Sequence, residues 1–212
     1  MGELNIALQK HRMLDVLSDI LQSTPPNWPD VMSSIRRDTT LILRRGKSID
    51  ALRGMLLEQH ISLLVFELIK NEVGISEVEP SSVVHRLDPH TLEYVVYRED
   101  GTTETEYDAL ANVKTASGTL MAVIEATTSN SGIGLTKKAR TLSVYNVRRH
   151  LHPIALSYRS TNIGYLFCTL QTDLSVEKVY IPSFRRRNGY VVQIPASRIQ
   201  LDCAADELLS LL

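Results

Sequence analysis

Cysteine is scarce in this sequence, which has only Cys168 and Cys203 among 212 residues. The two lie far apart in the chain, form no CxxC pair and show no spacing that is typical of a zinc site. Both stand in largely apolar segments, and a disulfide-rich secreted fold would need many more cysteines. The sequence therefore predicts two reduced thiols that are mostly buried.

An excess of charge of one sign is also missing, since 23 Lys and Arg residues stand against 24 Asp and Glu residues, for a net charge of −1. The chain as a whole lacks the basic character of many nucleic-acid-binding proteins, although a local basic patch is enough for binding. No apolar run approaches the roughly 18 residues that span a bilayer, and the N-terminus lacks the basic and apolar regions of a signal peptide. We therefore expect a cytoplasmic protein that does not contact a membrane.

Several familiar catalytic motifs are absent as well. The sequence contains no GxSxG of a serine hydrolase and no HExxH of a zinc hydrolase. Residues 131–138, SGIGLTKK, lie between a predicted strand and a predicted helix, but they lack the GxxxxGK(S/T) order of a nucleotide-binding loop. None of these three classes of site is supported by the sequence.

Apolar periodicity predicts an α/β chain. Ser48 is a good N-cap and Asp50 suits a first turn, so we expect a helix of about 25 residues from there to Val73, with Gly74 as its stop. Further helices are expected over Leu4–Leu21, Pro29–Leu43, Leu135–Leu151 and Ala204–Leu212. Strands are expected over Ser82–Leu87, Leu92–Arg98, Glu104–Val113, Leu120–Thr127, Ile154–Ser157, Ile163–Leu170, Lys178–Ile181 and Tyr190–Ile194. This order predicts a mixed β-sheet flanked by helices over residues 48–212, preceded by an N-terminal helical extension over residues 1–47.

The segment Thr105–Ser129 carries acidic side chains within two β-like runs of apolar residues. Side chains alternate between the faces of a strand, so Glu106 and Asp108 are predicted to share one face of the first strand. A short turn joins this strand to the next, and antiparallel pairing would bring Asp108 close to Glu125. Two neighbouring carboxylates can bind Mg²⁺ or Mn²⁺, whereas the alternative is a pair of exposed acids on a solvated sheet face.

These acids, together with one on the long helix, resemble the PD-(D/E)xK, or restriction-endonuclease-like, nuclease superfamily over roughly Ile49–Leu170. Residues Arg53–Glu58 read RGMLLE, which is similar to the Arg-Gly-x-x-x-Glu of the family's helix. Asp108, in EYDAL, matches the metal-binding Asp, and Glu125, after MAVI, matches the Glu of the family's Glu-x-Lys step. The order and spacing of these short motifs carry the resemblance more than any single residue.

The resemblance implies a restriction-endonuclease-like fold and hydrolysis of phosphodiester bonds that depends on Mg²⁺ or Mn²⁺. DNA is the expected substrate, ahead of RNA. Asp108 and Glu125 are implied to bind the metal ion, and Glu58 is implied to be an outer ligand or the ligand of a second ion. The alternative for Glu58 is an ordinary exposed residue, because glutamate suits helices well.

The sequence departs from the family at Thr127, which stands where the family has the lysine that positions the attacking water and stabilises negative charge in the transition state. Threonine has no charge and cannot provide that stabilisation. Lys137 or Lys138, at the start of the next predicted helix, would be the relocated cation, unless both face solvent. Otherwise catalysis is slow, or the protein is a catalytically degenerate member that binds nucleic acid or acts as a scaffolding subunit.

Five clusters of basic residues are candidates for contact with nucleic-acid phosphates, and each has an ordinary solvated surface as its alternative. The best candidates are Arg185, Arg186 and Arg187, and Lys137 and Lys138 with Arg140, and the others are Arg36 and Arg37, Arg44 and Arg45, and Arg148, Arg149 and His150. Nucleases of this kind often act as homodimers because a duplex has two strands, so a homodimer is compatible with the resemblance. An unrelated α/β interaction domain with acids on its surface is the third interpretation.

Overall fold

The structure is a computed structural model, and it describes residues 14–37, 46–72, 85–87, 94–97, 103–115, 118–128, 149, 151, 155, 160–170 and 189–212. Helices α1 to α4 span residues 14–23, Trp28–Arg37, Ile49–Glu72 and Arg198–Ser210. Strands β1 to β7 span His85–Leu87, Tyr94–Tyr97, Thr103–Tyr107, Ala109–Thr115, Gly118–Ala126, Ser160–Leu170 and Gly189–Ile194. No helix in this part of the chain is both long enough and apolar enough to cross a membrane.

The strands form two sheets. Strands β1, β2 and β3 make a three-stranded antiparallel sheet, and β4, β5, β6 and β7 make a four-stranded sheet in that order. In the larger sheet β4 pairs antiparallel with β5, whereas β5, β6 and β7 pair in parallel, so the predicted mixed α/β architecture is confirmed. A parallel pair needs a crossover connection. The helix predicted over Leu135–Leu151 falls in the connection between β5 and β6, most of which lies outside the described residues.

The predicted strand Glu104–Val113 is two strands that belong to different sheets. Strand β3 ends at Tyr107 and β4 begins at Ala109, with a bend at Asp108 between them. The expectation that Glu106 and Asp108 share one strand face is thereby corrected, because the bend interrupts the alternation of side chains. Aspartate disfavours strands because its side chain competes for backbone hydrogen bonds, and that preference is the physical reason for a break at this position.

The helix starts follow from capping residues. The Ser48 hydroxyl accepts a hydrogen bond from the Ala51 backbone N–H at 3.2 Å, which confirms Ser48 as the N-cap of α3. Helix α4 begins at Arg198, well before the predicted Ala204. Its capping box pairs the Ser197 hydroxyl with the Gln200 N–H and the Gln200 side chain with the Ser197 N–H. The Ser-x-x-Gln spacing that specifies this start is present in the sequence.

One face of the four-stranded sheet packs against the helices in a single apolar core. The strand residues on this face occupy alternate positions and are at most 5% exposed, namely Ala122, Ile124, Ala126, Leu166, Cys168, Leu170, Val192 and Ile194. Helices α1 and α2 contribute Leu14, Leu17, Leu21, Val31, Met32 and Ile35 to the same core. Residues 14–37 therefore share their core with the rest of the described chain.

The opposite face of the sheet is buried as well. Met121, Val123 and Glu125 of β5 alternate with the core positions, and each is at most 1% exposed. On β6 the neighbouring Tyr165 and Phe167 are 6% and 0% exposed. Burial of both faces is typical of parallel sheets. An acid on either face of β5 is consequently removed from solvent.

Gly164 of β6 marks a close approach of α1 to the sheet. A Cβ atom at this position would lie 2.5 Å from Cδ1 and 3.0 Å from Cγ of Leu14. Leu14 is 2% exposed, so its side chain has little space to move away. We expect Gly164→Ala to lower the free energy of unfolding by about 1–3 kcal/mol, the usual cost of overpacking a dense core. Urea unfolding of the variant and the wild type measures this loss.

The double variant Leu14→Ala/Gly164→Ala separates a steric clash from a general effect of changing β6. Leu14→Ala alone is expected to cost about 2–5 kcal/mol, because it leaves a cavity. In that background the new methyl group has room, so Gly164→Ala should add little further loss. Two losses that simply add would contradict a direct contact between these residues.

Candidate functional site

Asp108 lies at the bend between β3 and β4 and is held there by its own carboxylate. Its side chain is buried, with 5% of the residue exposed. Oδ2 accepts a hydrogen bond from the Ala126 backbone N–H at 2.6 Å, a short distance typical of a charged acceptor. The Asp108 side chain thus accepts the hydrogen bond from the Ala126 N–H just beyond the point where the β4 backbone stops pairing with β5.

Glu125 stands next to this contact, near the carboxyl end of β5. The β4–β5 register pairs Ala109 with Ile124, so one step further along the ladder places Asp108 opposite Glu125. The Asp108 carboxylate also contacts the peptide bond that joins Glu125 to Ala126. Glu125 is 0% exposed and is paired with Phe167 in the parallel β5–β6 ladder. The fold therefore brings the two predicted metal-binding acids to one place in the sheet.

Burial of both acids contradicts the alternative that they are exposed residues on a solvated sheet face. At 5% and 0% exposure, Asp108 and Glu125 are not surface residues. Removing a carboxylate from water is costly unless hydrogen bonds or a cation compensate the charge. Asp108 obtains compensation of this kind from the Ala126 N–H.

Cys168 of β6 lies beside the end of β5 that carries Glu125. Cys168 is 0% exposed and pairs with Ala126 across the β5–β6 ladder. Burial raises the pKa of this thiol well above its usual range, and the negative charges of Asp108 and Glu125 raise the pKa further. The thiol is therefore neutral at physiological pH. Cys203 is also a free cysteine but is exposed, which corrects the expectation of two buried thiols.

Thr127 continues the backbone of β5 beyond Glu125. Its N–H donates to the Cys168 carbonyl at 3.0 Å, and the residue is 7% exposed. The Thr128 carbonyl accepts a hydrogen bond from Arg198 Nη1 of α4 at 2.6 Å. Ala126, Thr127 and Thr128 thus each have one backbone group held, by Asp108, by β6 and by α4 respectively. Such a rigid strand end suits a site whose side chains must keep a defined geometry.

Glu58 lies on α3, the helix that packs against β4 and β5. It is half-buried, and its Oε1 lies 3.8 Å from where a Cβ atom on Gly54 would be, so the side chain folds back over the preceding turn. Among the described residues, no group of three or more His, Cys, Asp or Glu side chains is arranged to hold a metal ion. The structure thus brings Asp108 and Glu125 together but does not join Glu58 to them as a third ligand.

The predicted basic residues fall elsewhere. Lys137, Lys138, Arg140 and the run Arg185–Arg187 lie outside the described residues, and their roles stay predictions. Arg198 is the residue at this site that sequence reasoning missed. Only the Ser197 capping signal hints at the start of α4, and no sequence pattern connects that helix to the end of β5.

Comparison with models of known protein families, with curated proteins and with solved structures gave no match.

Proposed function

We propose that this protein is a Mg²⁺-dependent nuclease of restriction-endonuclease-like fold that hydrolyses phosphodiester bonds in DNA. The observation that carries the proposal is the contact of the buried Asp108 carboxylate with the peptide bond after Glu125. Two buried carboxylates, one at the bend before β4 and one near the end of β5, would form a negatively charged site, and a divalent cation is a suitable partner for such a site.

The donor set fits Mg²⁺ or Mn²⁺ better than a soft metal. Asp108 and Glu125 offer hard oxygen donors, which suit Mg²⁺ and Mn²⁺ better than a soft metal. Mg²⁺ is commonly bound through one or two carboxylates, and water and substrate phosphate oxygens complete its octahedral shell. Two protein ligands are therefore enough. When bound, the ion would lower the pKa of a coordinated water and neutralise charge on the phosphate.

The chain's own residues would have distinct roles. Asp108 and Glu125 hold the ion, and the hydrogen bond from the Ala126 N–H keeps the Asp108 carboxylate in one orientation. Glu58 on α3 is proposed as an outer ligand or a ligand of a second ion. Lys137 or Lys138 is proposed to supply the positive charge that Thr127 cannot.

The arrangement of the described elements supports part of the fold assignment. The resemblance calls for an N-terminal helix, a three-stranded meander with the acids, a second helix and a further strand. The described chain has α3, then Asp108 at the bend before β4, the antiparallel pair β4 and β5 with Glu125 on β5, and β6 parallel to β5, whereas β3 belongs to the other sheet. Helix α3 packs against the strands that carry the acids. The basic residues Lys137, Lys138, Arg140 and Arg185–Arg187 are proposed to bind the DNA backbone, and a homodimer would allow both strands to be cut.

A degenerate, non-catalytic protein is the second candidate, and Thr127 favours it. Thr127 is uncharged, is 7% exposed and has its N–H paired with β6, so it does not replace the function of a lysine at this step. Such a protein would bind DNA or assemble with other subunits without hydrolysing the backbone.

The experiment is cleavage of supercoiled plasmid and of single-stranded DNA in Mg²⁺ or Mn²⁺, with a chelator as the negative condition. We expect cleavage by the wild type and a loss of about 100-fold or more in Glu125→Gln, because metal-ion charge stabilisation contributes several kcal/mol to such reactions. Glu207→Gln makes the same change on the exposed surface of α4 and should cleave like the wild type.

Each outcome has a different meaning for the two candidates. Metal-dependent cleavage that survives in Glu125→Gln would contradict the assignment of the site. Wild-type protein that binds DNA but does not cleave it in either metal would support the degenerate protein. Purified protein that neither binds nor cleaves DNA would rule out the nuclease and a degenerate DNA-binding protein, and would leave only assembly with other subunits.

A further inference from the structure

Arg198, the first residue of α4, reaches across to the end of β5. Its Nη1 donates to the Thr128 carbonyl at 2.6 Å, and its side chain is 33% exposed. Thr128 lies three residues after Glu125 and two residues beyond the end of β5. This contact ties the C-terminal helix to the strand that carries the proposed metal ligand.

The Arg198 side chain is itself held by a carboxylate. Its Nε donates to Asp202 Oδ1 at 3.0 Å, one turn further along α4. The same oxygen accepts from Arg53 Nε of α3 at 2.8 Å, and Arg53 Nη1 contacts Asp50 Oδ1 at 2.7 Å. Asp202 therefore joins two guanidinium groups, one from each helix. We call this chain of contacts, Asp50–Arg53–Asp202–Arg198–Thr128, the arginine relay.

The arginine relay connects the two halves of the proposed nuclease motif. Arg53 begins the RGMLLE segment that also holds Glu58, and Thr128 lies two residues beyond the end of β5, the strand that holds Glu125. The Thr128 carbonyl is the last of three consecutive backbone contacts after Glu125, following the Ala126 N–H to Asp108 and the Thr127 N–H to Cys168. Loss of the outermost contact would let this strand end move.

We propose that Arg198 is a positioning residue of the metal site, which holds the end of β5 so that Glu125 and Asp108 stay in register. This inference rests on the proposed function. Arg198 acts through the Thr128 carbonyl and contacts neither the metal ion nor the substrate. Residues that orient metal ligands without touching the metal commonly have large effects on metal affinity, because they remove the cost of ordering the ligands at binding.

The test measures Mn²⁺ binding by electron paramagnetic resonance and backbone amide hydrogen exchange in Arg198→Gln. We expect Mn²⁺ affinity to fall about 10-fold, the lower end of the range for residues that orient metal ligands. Exchange at Ala126 and Thr127 should rise about 10-fold in metal-free protein, as expected after loss of a charge-assisted hydrogen bond. Cleavage should show a lower kcat with an unchanged KM for DNA, because the substrate contacts stay in place.

Two further variants keep the test informative if Arg198→Gln folds poorly. Asp202→Asn leaves the Arg198 to Thr128 contact in place but weakens its support, so it should cause a smaller loss of the same kind. Arg198→Lys keeps the positive charge and should recover part of the Mn²⁺ affinity. Arg36→Gln, on the exposed surface of α2, removes an equal charge and should match the wild type in Mn²⁺ affinity and in amide exchange at Ala126 and Thr127.

The outcomes separate this inference from the proposed function. If the wild type binds Mn²⁺ in a way that Asp108→Asn and Glu125→Gln abolish, but Arg198→Gln binds it equally well, the positioning role is wrong and the metal site stands. Unchanged amide exchange at Ala126 and Thr127 would also overturn the positioning role. If the wild type shows no Mn²⁺ binding that depends on these acids, the metal site is wrong and the positioning role is wrong with it.

Discussion

Asp108→Asn is expected to abolish metal-dependent DNA cleavage and to leave the protein almost as stable as the wild type. The asparagine amide oxygen can occupy the place of Oδ2 and accept the hydrogen bond from the Ala126 N–H. The neutral amide is a much weaker ligand for Mg²⁺ than a carboxylate, since the charge that draws the ion to the site is halved. We expect cleavage to fall about 100-fold or more, the size of effect that loss of metal-ion catalysis produces.

Asp108→Ala provides the contrast, because it removes both roles of the side chain. The Ala126 N–H would be left buried without its acceptor, which costs about 1–3 kcal/mol of stability. Comparing the two variants by urea unfolding and by plasmid cleavage therefore separates the structural hydrogen bond from the metal ligand. Asp206→Asn, an equal change on the exposed surface of α4, is the control. Cleavage that persists in Asp108→Asn while stability is retained would contradict a metal-binding role for this residue.

The second large effect is a loss of stability at mildly acidic pH that depends on His60. His60 of α3 is 3% exposed and contacts the ring of Trp28, with ring centroids 6.2 Å apart and the planes tilted by 58°. Burial lowers the pKa of His60 from 6.5 to about 4, and a hydrogen bond to the Thr24 backbone offsets part of this effect. The imidazole is therefore buried in its neutral form between α3 and the start of α2.

The direction of the pH effect follows from which state binds the proton. Above pH 6.5 the imidazole is neutral in the folded and unfolded states, and its contribution to stability is fully present. As the pH falls from 6.5 toward about 4, the unfolded chain takes up the proton and the folded chain does not, so stability is lost. The loss reaches about 3 kcal/mol over this window, since each unit of pKa shift is worth about 1.4 kcal/mol.

Urea unfolding of the wild type and of His60→Gln at a series of pH values measures this contribution. Carboxylates elsewhere titrate in both proteins, so the difference between the two curves isolates the imidazole. We expect the wild type to lose more stability than His60→Gln between about pH 6.5 and about pH 4, and the two slopes to agree above that range. Equal slopes across the whole series would show that His60 does not carry the effect.

The site illustrates how far local sequence patterns reach. The apolar runs around Asp108 and Glu125 predict two adjacent strands, and the structure confirms their antiparallel pairing. The same runs do not reveal that the chain passes from one sheet to the other at Asp108. The alternation of apolar residues continues in the sequence across the bend. The consequence is functional, since the bend gives the Asp108 carboxylate its contact with the peptide bond after Glu125.

The helices likewise combine starts that the local sequence specifies with contacts that only the tertiary structure reveals. Ser48 predicts the start of α3, and the Ser197-x-x-Gln200 spacing specifies the start of α4, because capping depends on residues only a few positions apart. The contact of Arg198 with Thr128 joins residues 70 positions apart in the chain, and that of Arg53 with Asp202 joins residues 149 apart. No local pattern encodes such pairs.

The sequence by itself determined the mixed α/β class, the long helix α3 and the pair of acids on neighbouring strands, because periodicity and capping act over a few residues. Only the tertiary structure decided that both acids are buried, that Asp108 accepts the Ala126 N–H and that α4 secures the end of β5. These features depend on how distant elements pack against one another. Burial and long-range hydrogen bonds arise when the sheet and the helices come together, and they are therefore properties of the whole fold.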